Sequence, residues 1–211
     1  MHVAVLGTGA VGRTLAARLV ELGHVVRLGT RDPSTTRSRD DWSELPGVEL
    51  TTFAESTVGA DLVVHAGNGV AALDLLAGAG DLAGKVLVDV SNPLDFSAGF
   101  PPTLTVKDTD SLGEQVQRAY PEAKVVKTLN TLTADLMAHP DRLPEPTTVF
   151  VSGDDPDAKR LVTGLLLDLG HADVLDLGGI ETARGVEMWL PLWLRVMGAI
   201  GTADFNIKVV R

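Results

Sequence analysis

The sequence predicts an α/β fold, a doubly wound parallel sheet with a small C-terminal helical portion, and three observations predict it. Short continuous apolar runs recur at residues 3–6, 62–64, 86–88, 125–126 and 149–151, with a further strand at 25–28. Runs of this kind, without strict alternation, suit strands of a parallel sheet buried on both faces. Segments with helical spacing lie between them, and strand–helix alternation is the signature of a doubly wound sheet. From about Gly178 the alternation stops, and a helical stretch rich in Trp, Leu and Met takes over, including Trp189, Trp193 and Met197.

Taken in order, the first strand runs straight into Gly7-Thr8-Gly9-Ala10-Val11-Gly12. Leu15, Ala16, Leu19 and Leu22 then recur at helical spacing until Gly23 stops the helix. A second strand follows at once. Residues 32–46 are polar and read as a loop before a strand at Val48–Thr52. Further helices are predicted over 71–77, 112–120, 133–138 and Pro156–Leu169. The last of these is preceded by Ser152-Gly153-Asp154-Asp155, which suits a capping Asp or Ser with Pro156 in the first turn. Residues 92–105 carry Pro93, Gly99, Pro101 and Pro102 and read as one long loop, the kind usually either functional or mobile. The expected division is a nucleotide-binding sheet domain over 1–178 and a helical cap or dimerisation segment over 179–211. That segment would pack on the sheet's ligand edge or on a partner subunit.

Composition narrows the function classes. With 45% hydrophobic and 22% charged residues in 211, the chain can bury a sizeable core. Eighteen Lys and Arg against 28 Asp and Glu leave a formal charge of −10, which disfavours nucleic acid and anionic membranes as partners. The absence of cysteine excludes disulfides, Cys-ligated metal centres and thiol nucleophiles. The most membrane-like stretch, residues 186–200, is too short to span and contains Pro191 and Arg195. No targeting segment is recognisable, so a cytoplasmic location is expected.

The glycine string carries the first functional signal, because it follows a strand and opens a helix. Gly7 permits a tight turn, Gly9 lets backbone approach a pyrophosphate, and Gly12 lets helix and strand pack closely. The helix N-terminus adds N–H donors and a positive dipole. A dinucleotide site is the expectation. About twenty residues on, an NAD site places an acidic residue for the ribose 2′-hydroxyl, whereas this chain has Gly29-Thr30-Arg31. Thr30 as a donor and Arg31 as a bidentate clamp favour a 2′-phosphate, hence NADP. Arg37 and Arg39 add positive potential. A one-residue shift would instead bring Asp32 to the ribose.

Other catalytic patterns fall away. Tyr120 and Lys124 have the spacing of a reductase pair, but Pro121 lies between them and no helix can hold both on one face. His2, His24, His65, His139 and His171 show no metal-ligand spacing and read mostly as strand-edge or loop residues. Three turns after strands remain: Gly67-Asn68-Gly69, Ser91-Asn92-Pro93-Leu94 and Thr128-Leu129-Asn130-Thr131. They share the sheet's carboxyl edge, where ligands of such sheets bind. Asn92 and Asn130 either line the site or serve as turn residues. Hydride transfer between two bound rings mainly needs alignment, so the lack of a triad is compatible with redox chemistry.

Residues 5–12, Gly29-Thr30-Arg31, Asp89-Val90-Ser91-Asn92-Pro93-Leu94 and residues 125–131 together resemble the NADP oxidoreductases dependent on coenzyme F420. The resemblance runs through nearly the whole chain, with its specific motifs in the N-terminal half. It implies a Rossmann domain, a homodimer, and reversible hydride transfer between NADP(H) and the deazaflavin F420. It also implies a phosphate contact at Thr8, a 2′-phosphate site at Thr30 and Arg31, and a loop at Asn92-Pro93-Leu94 that approaches both rings. Asn130 departs from a His found in some members, and Gly67-Asn68-Gly69 from their usual small apolar–Pro ending. Two other functions stay open: an NADPH-dependent reductase of a flavin, ferric chelate or carbonyl or imine compound, and an NADP-binding module without turnover.

Overall fold

The computed structural model describes residues 1–211. Strand β1 (His2–Leu6) lies near the middle of the sheet and turns through the glycine loop into helix α1 (Ala10–Glu21). Then come β2 (Val25–Thr30), α2 (Pro33–Arg37), β3 (Val48–Thr52), α3 (Phe53–Thr57), β4 (Leu62–His65), α4 (Ala72–Ala77) and β5 (Val86–Asp89). A small hairpin, β6 (Leu94–Asp95) and β7 (Thr103–Leu104), precedes α5 (Leu112–Ala119) and β8 (Lys124–Thr128). The chain ends with α6 (Ala134–Ala138), β9 (Thr148–Ser152), α7 (Pro156–Leu169), β10 (Asp173–Gly178), α8 (Ala183–Met188) and α9 (Leu190–Ile200).

Eight strands form one sheet in the order β10-β9-β8-β5-β4-β1-β2-β3. The architecture is therefore the Rossmann-like α/β sheet that the sequence predicts, with a helical C-terminal portion. Strand parity sorts the two faces. Val3, Val5, Val64, Val88 and Val126 face α1, α6 and α7 in a cluster of 25 buried residues. Ala4, Leu6, Val63, Leu87 and Val125 face α4 and α5 in a second cluster of 15. Burial on both faces explains the unbroken apolar runs.

The sheet is parallel apart from one pair. β8 and β9 run antiparallel, paired only through Lys127 with Ser152 and Thr128 with Val151. A parallel return requires a connection that crosses the sheet face. The only α-helix between them, α6, has five residues and spans about 8 Å, roughly half the length of a five-residue strand. The chain therefore stays at the carboxyl edge and turns back.

Two predicted loops also contain structure. In residues 32–46, Asp32 accepts from the backbone of Ser34 and Thr35 and starts α2, with Pro33 in its first turn. Residues 92–105 fold into the hairpin in which Leu94 pairs with Leu104. Asp155 caps α7 as expected. The Tyr120–Lys124 spacing is indeed incidental, because α5 stops at Ala119 and Lys124 opens β8. In α9 only Leu190 is buried, while Leu192 and Ile200 are about half exposed. Trp193 stacks on Phe205 with ring centroids 5.1 Å apart. No helix is long and apolar enough to cross a membrane.

The close approach of α1 to β1 depends on glycine: a Cβ at position 12 would stand 1.9 Å from the Gly7 carbonyl oxygen, whereas one at position 9 meets nothing within 4 Å. Gly12→Ala is expected to cost about 2–3 kcal/mol by overpacking, and Gly9→Ala to leave stability nearly unchanged. Thermal unfolding of the two variants side by side checks this. Equal melting temperatures would show that the close packing is not needed.

Candidate functional site

The carboxyl edge around β1 presents an open backbone cradle. Gly7 has φ of +121°, and a Cβ there would lie 2.8 Å from the Ala66 carbonyl oxygen. Its own N–H is tied to Gly29 O at 3.0 Å. Gly9, by contrast, faces open space. Helix α1 starts at Ala10 with no side-chain cap, and the first backbone bond across its N-terminus is Arg13 N–H to Gly9 O. The N–H groups of Ala10, Val11 and Gly12 thus have no partner in the chain, and the dipole's positive end is left uncovered.

The β2–β3 connection folds back over this cradle. Arg39 donates to Thr8 Oγ1 at 3.0 Å while its other nitrogens hold Asp41. Arg13 lies 4.7 Å over the Trp42 ring and donates to Ser43. Because Thr8 accepts from Arg39, its hydroxyl proton remains free to donate. Thr30 differs from its expected role. It is buried, and its hydroxyl lies 2.8 Å from that of Thr36, whose single proton goes to the Asp32 carbonyl. Thr30 must therefore donate to Thr36, and it has no proton left for a phosphate. Asp32 is also committed. Its oxygens accept from Ser34 and Thr35, and these hydrogen bonds hold its pKa at about 2. The alternative in which Asp32 reaches a ribose is not what the structure has.

Arg31 is exposed and unpartnered. Of 18 Lys and Arg side chains, thirteen are in ion pairs, and Arg13 and Lys85 bond neutral oxygens. Only Arg31, Lys107 and Arg195 remain. Arg37 is turned to Glu44 at 3.0 Å.

On the other side of the edge, β4, β5 and β8 end in a row of fully buried ionisable groups. His65, Asp89 and Lys127 are in register on adjacent strands. His65 Nδ1 is 3.0 Å from Asp89 Oδ1, and Asp89 Oδ2 is 2.9 Å from Lys127 Nζ. Lys127 also reaches Glu187 of α8 at 3.0 Å and donates to Ser91 O at 2.6 Å. Glu187 in turn accepts from Leu112 and Gly113 N–H at 2.8 and 3.0 Å, capping α5. Burial alone would raise the Asp89 carboxyl, but the Lys127 ammonium and the His65 hydrogen bond hold it far below the usual carboxylate range. Burial pulls Lys127 down, yet Asp89 and Glu187 outweigh it and raise its pKa. His65 ends β4 and His171 lies in the loop before β10, as the sequence suggests, yet both are buried, and His171 is bonded to Met137 O.

The predicted turns sit directly above this row. Ser91 donates from N and Oγ to Asp89, and Asn92 and Asn130 bond each other. Asn130 also donates to Val186 O at 3.0 Å. Their amides are thus clamps between turn and C-terminal segment. Leu129, at φ 60°, holds a left-handed conformation that costs a bulky residue about 1–2 kcal/mol. Asn130's bonds and its own burial keep it there. Pro93 is buried, Leu94 is fixed in β6, and Asn68 caps its own turn by accepting from Val70 N–H. Gly67 is wedged between Leu75 and His65. Sequence reading missed Lys127 and Glu187. The signal was present in the strand ends, where a polar residue follows apolar ones at matching positions, 62–65, 86–89 and 125–127.

The family model described as NADP oxidoreductase, coenzyme F420-dependent, matches residues 2–93. The F420-dependent NADP reductase of Methanothermobacter marburgensis is 29% identical over 210 residues, covering 93% of this chain and 92% of that one. Rat Metalloreductase STEAP3 is 32% identical over 200 residues, 90% of this chain, and the chain spans only 37% of that protein's length. A crystal structure from Arthrobacter sp. FB24, provisionally assigned as an F420-dependent NADP-reductase, is 56% identical, covers both chains fully and superimposes with a TM-score of 0.98.

The buried charges set two expectations. Lys127→Met strands two buried carboxylates and should cost about 3–5 kcal/mol. The double variant Asp89→Asn with Lys127→Met removes charge from both sides and should cost clearly less. Urea unfolding compares them; equal losses would mean that the ion pairs do not govern this edge. Stability should also fall on acidification in two stages. His171, kept neutral by burial, gains its proton only on unfolding, so its contribution declines below its ordinary value near 6.5. Asp89, depressed in the fold, contributes above about pH 4 and loses that contribution as the pH drops further. Unfolding free energies between pH 8 and pH 3 should show both slopes.

Proposed function

Because the chain belongs to the F420-dependent NADP oxidoreductase family, a family of NADP-dependent oxidoreductases, we propose that it transfers a hydride between NADP(H) and the deazaflavin coenzyme F420. The observation that carries the cofactor side is the open, uncapped glycine turn beside an unpartnered Arg31. In this reading residues 1–178 form the NADP-binding unit and 179–211 the cap. Gly7, its own N–H tied to Gly29, makes the turn, and Thr8, Gly9, Ala10, Val11 and Gly12 hold the pyrophosphate through backbone N–H groups and the free Thr8 proton. Arg31 takes the 2′-phosphate, and Thr30 braces the turn that presents it. Gly67, Asn68, Asn92, Pro93, Leu94 and Asn130 border the nicotinamide end.

When bound, the nicotinamide supplies or takes up the hydride. The protein's part is to hold its turns still, which the Asn92–Asn130 clamp and the buried Lys127 row do. No proton has to be moved by a side chain for a hydride to pass between two aligned rings, which fits a site without a Tyr–Lys pair. The half-exposed apolar face of α9, with Leu192 and Ile200, supports a homodimer through this helix. A cytoplasmic location goes with soluble coenzymes as substrates. Similarity to the rat metalloreductase over 90% of the chain keeps ferric chelate as the second acceptor to test.

Mixing the protein with NADPH and F420, flavin or ferric chelate in turn, and following NADPH oxidation, tests the acceptor. F420 is expected to turn over fastest; turnover with another acceptor and none with F420 overturns the assignment. Arg31→Glu should weaken NADPH binding at least tenfold, from the loss of a charge-assisted contact of about 1.5–3 kcal/mol. NADH binding should change by less than about twofold. Equal losses for both in a titration would remove Arg31 from the 2′-phosphate site.

A further inference from the structure

Glu187 is a buried acid supplied from outside the sheet. It lies on α8, is 1% exposed, and commits both oxygens to the carboxyl edge. Leu112 and Gly113 donate N–H groups to it at 2.8 and 3.0 Å, and Lys127 Nζ stands 3.0 Å away. The approach is close, because a Cβ on Gly113 would stand 3.1 Å from that of Ala183 at the start of α8. Capping α5 does not call for a charge, since a neutral Ser or Asn caps a helix as well as Asp does. Packing does not call for one either, because apolar side chains of like volume often hold a core at least as firmly as a buried ion pair.

The charge balance of the buried row turns on this carboxylate. Asp89 and Lys127 cancel each other. His65 adds no charge. Its Nδ1 must donate to the Asp89 carboxylate, and its Nε2 is buried without a partner, which suits a lone pair rather than a proton. The N-terminus of α5 contributes about half a unit of positive charge. Without Glu187 the row would therefore be positive, and with it that excess is removed. Ser91 bonds both Asp89 and Lys127, and Asn130 bonds Val186 beside Glu187. The row thus touches the two turns that border the nicotinamide in the reading above.

An oxidised nicotinamide carries a positive charge that the reduced ring lacks. We propose that Glu187 is a specificity-determining residue for the oxidation state of the cofactor: its carboxylate cancels positive charge at this edge and so lets the site hold NADP+ as well as NADPH. The inference rests on nicotinamide binding at these turns, as proposed above, and not on the identity of the hydride acceptor. Buried charge is screened far less than surface charge, so the effect should persist at ordinary salt.

Separate titrations with NADP+ and NADPH test this. Glu187→Gln keeps the shape and loses the charge, and should weaken NADP+ about fivefold more than NADPH. Asp89→Asn removes the same charge from the other side of Lys127 and should shift the ratio in the same direction, so either variant alone is decisive. Glu187→Asp keeps the charge but shortens the reach to α5. Its ratio should stay within about twofold of wild type even where both affinities fall. Losses shared equally by both cofactors in the Gln and Asn variants overturn the proposal. So does an Asp variant that shifts the ratio as far as the Gln variant. Wild-type protein that binds neither cofactor overturns the proposed function and this inference together. A charge-dependent ratio without turnover of any acceptor supports this inference and overturns the hydride-transfer reading alone.

Discussion

One ammonium, that of Lys127, organises the carboxyl edge. It sits in the fold with no access to water, between Asp89 and Glu187, and touches the Ser91 carbonyl. Two carboxylates against one ammonium would leave an uncompensated buried charge. The N-terminus of α5 supplies the rest, because its first N–H groups and positive dipole end point at Glu187. A buried ion pair is weak evidence for stability, since desolvation consumes most of the Coulomb gain. What the arrangement fixes is relative position. β5, β8, α5, α8 and the Ser91 turn meet at one nitrogen atom and its two carboxylates, so none of them can shift alone.

That constraint divides the candidate site into two kinds of construction. Around β1 and β2 the proposed recognition elements are backbone N–H groups and a solvent-facing Arg31, and they need only the glycines and the β2–β3 connection. Around β4, β5 and β8 the turns are held from beneath by buried charge and from the side by the Asn92–Asn130 clamp. An anion's phosphates tolerate small displacements, because charge–charge attraction falls slowly with distance. Hydride transfer does not, since the reacting carbons must lie at near-attack separation. In the proposed reading the stiffer construction stands where the geometry matters more.

The first half of this division was legible in the sequence and much of the second was not. Gly7, Gly9 and Gly12 follow a strand and open a helix, so their spacing has a single backbone meaning. Arg31 is read from its place at the end of β2. His65, Asp89 and Lys127 become neighbours only when strand order and register are known, because they are 24 and 38 residues apart. Glu187 comes from beyond the sheet altogether. The Thr30 hydroxyl illustrates the same limit. Its residue type suits a phosphate site, but the proton count at Thr36 directs it inward. The reversal of β9 depends on how short α6 is, and helix ends are the least certain part of any sequence reading.

Charge gives the last step. A chain with formal charge −10 repels polyanions at long range, yet the family to which it belongs handles NADP, itself a polyanion. Screening limits that repulsion to about 8–10 Å at ordinary ionic strength, so the nearest charges decide what binds. Internal pairing silences nearly all the cations; of the three left without partners, Arg31 stands just past β2, and Lys107 and Arg195 border one space beside α9. Positive potential is then concentrated at those points rather than spread over the surface. A broad basic patch would accept any polyanion of sufficient charge. Separated cations favour anions whose charges are spaced to meet them.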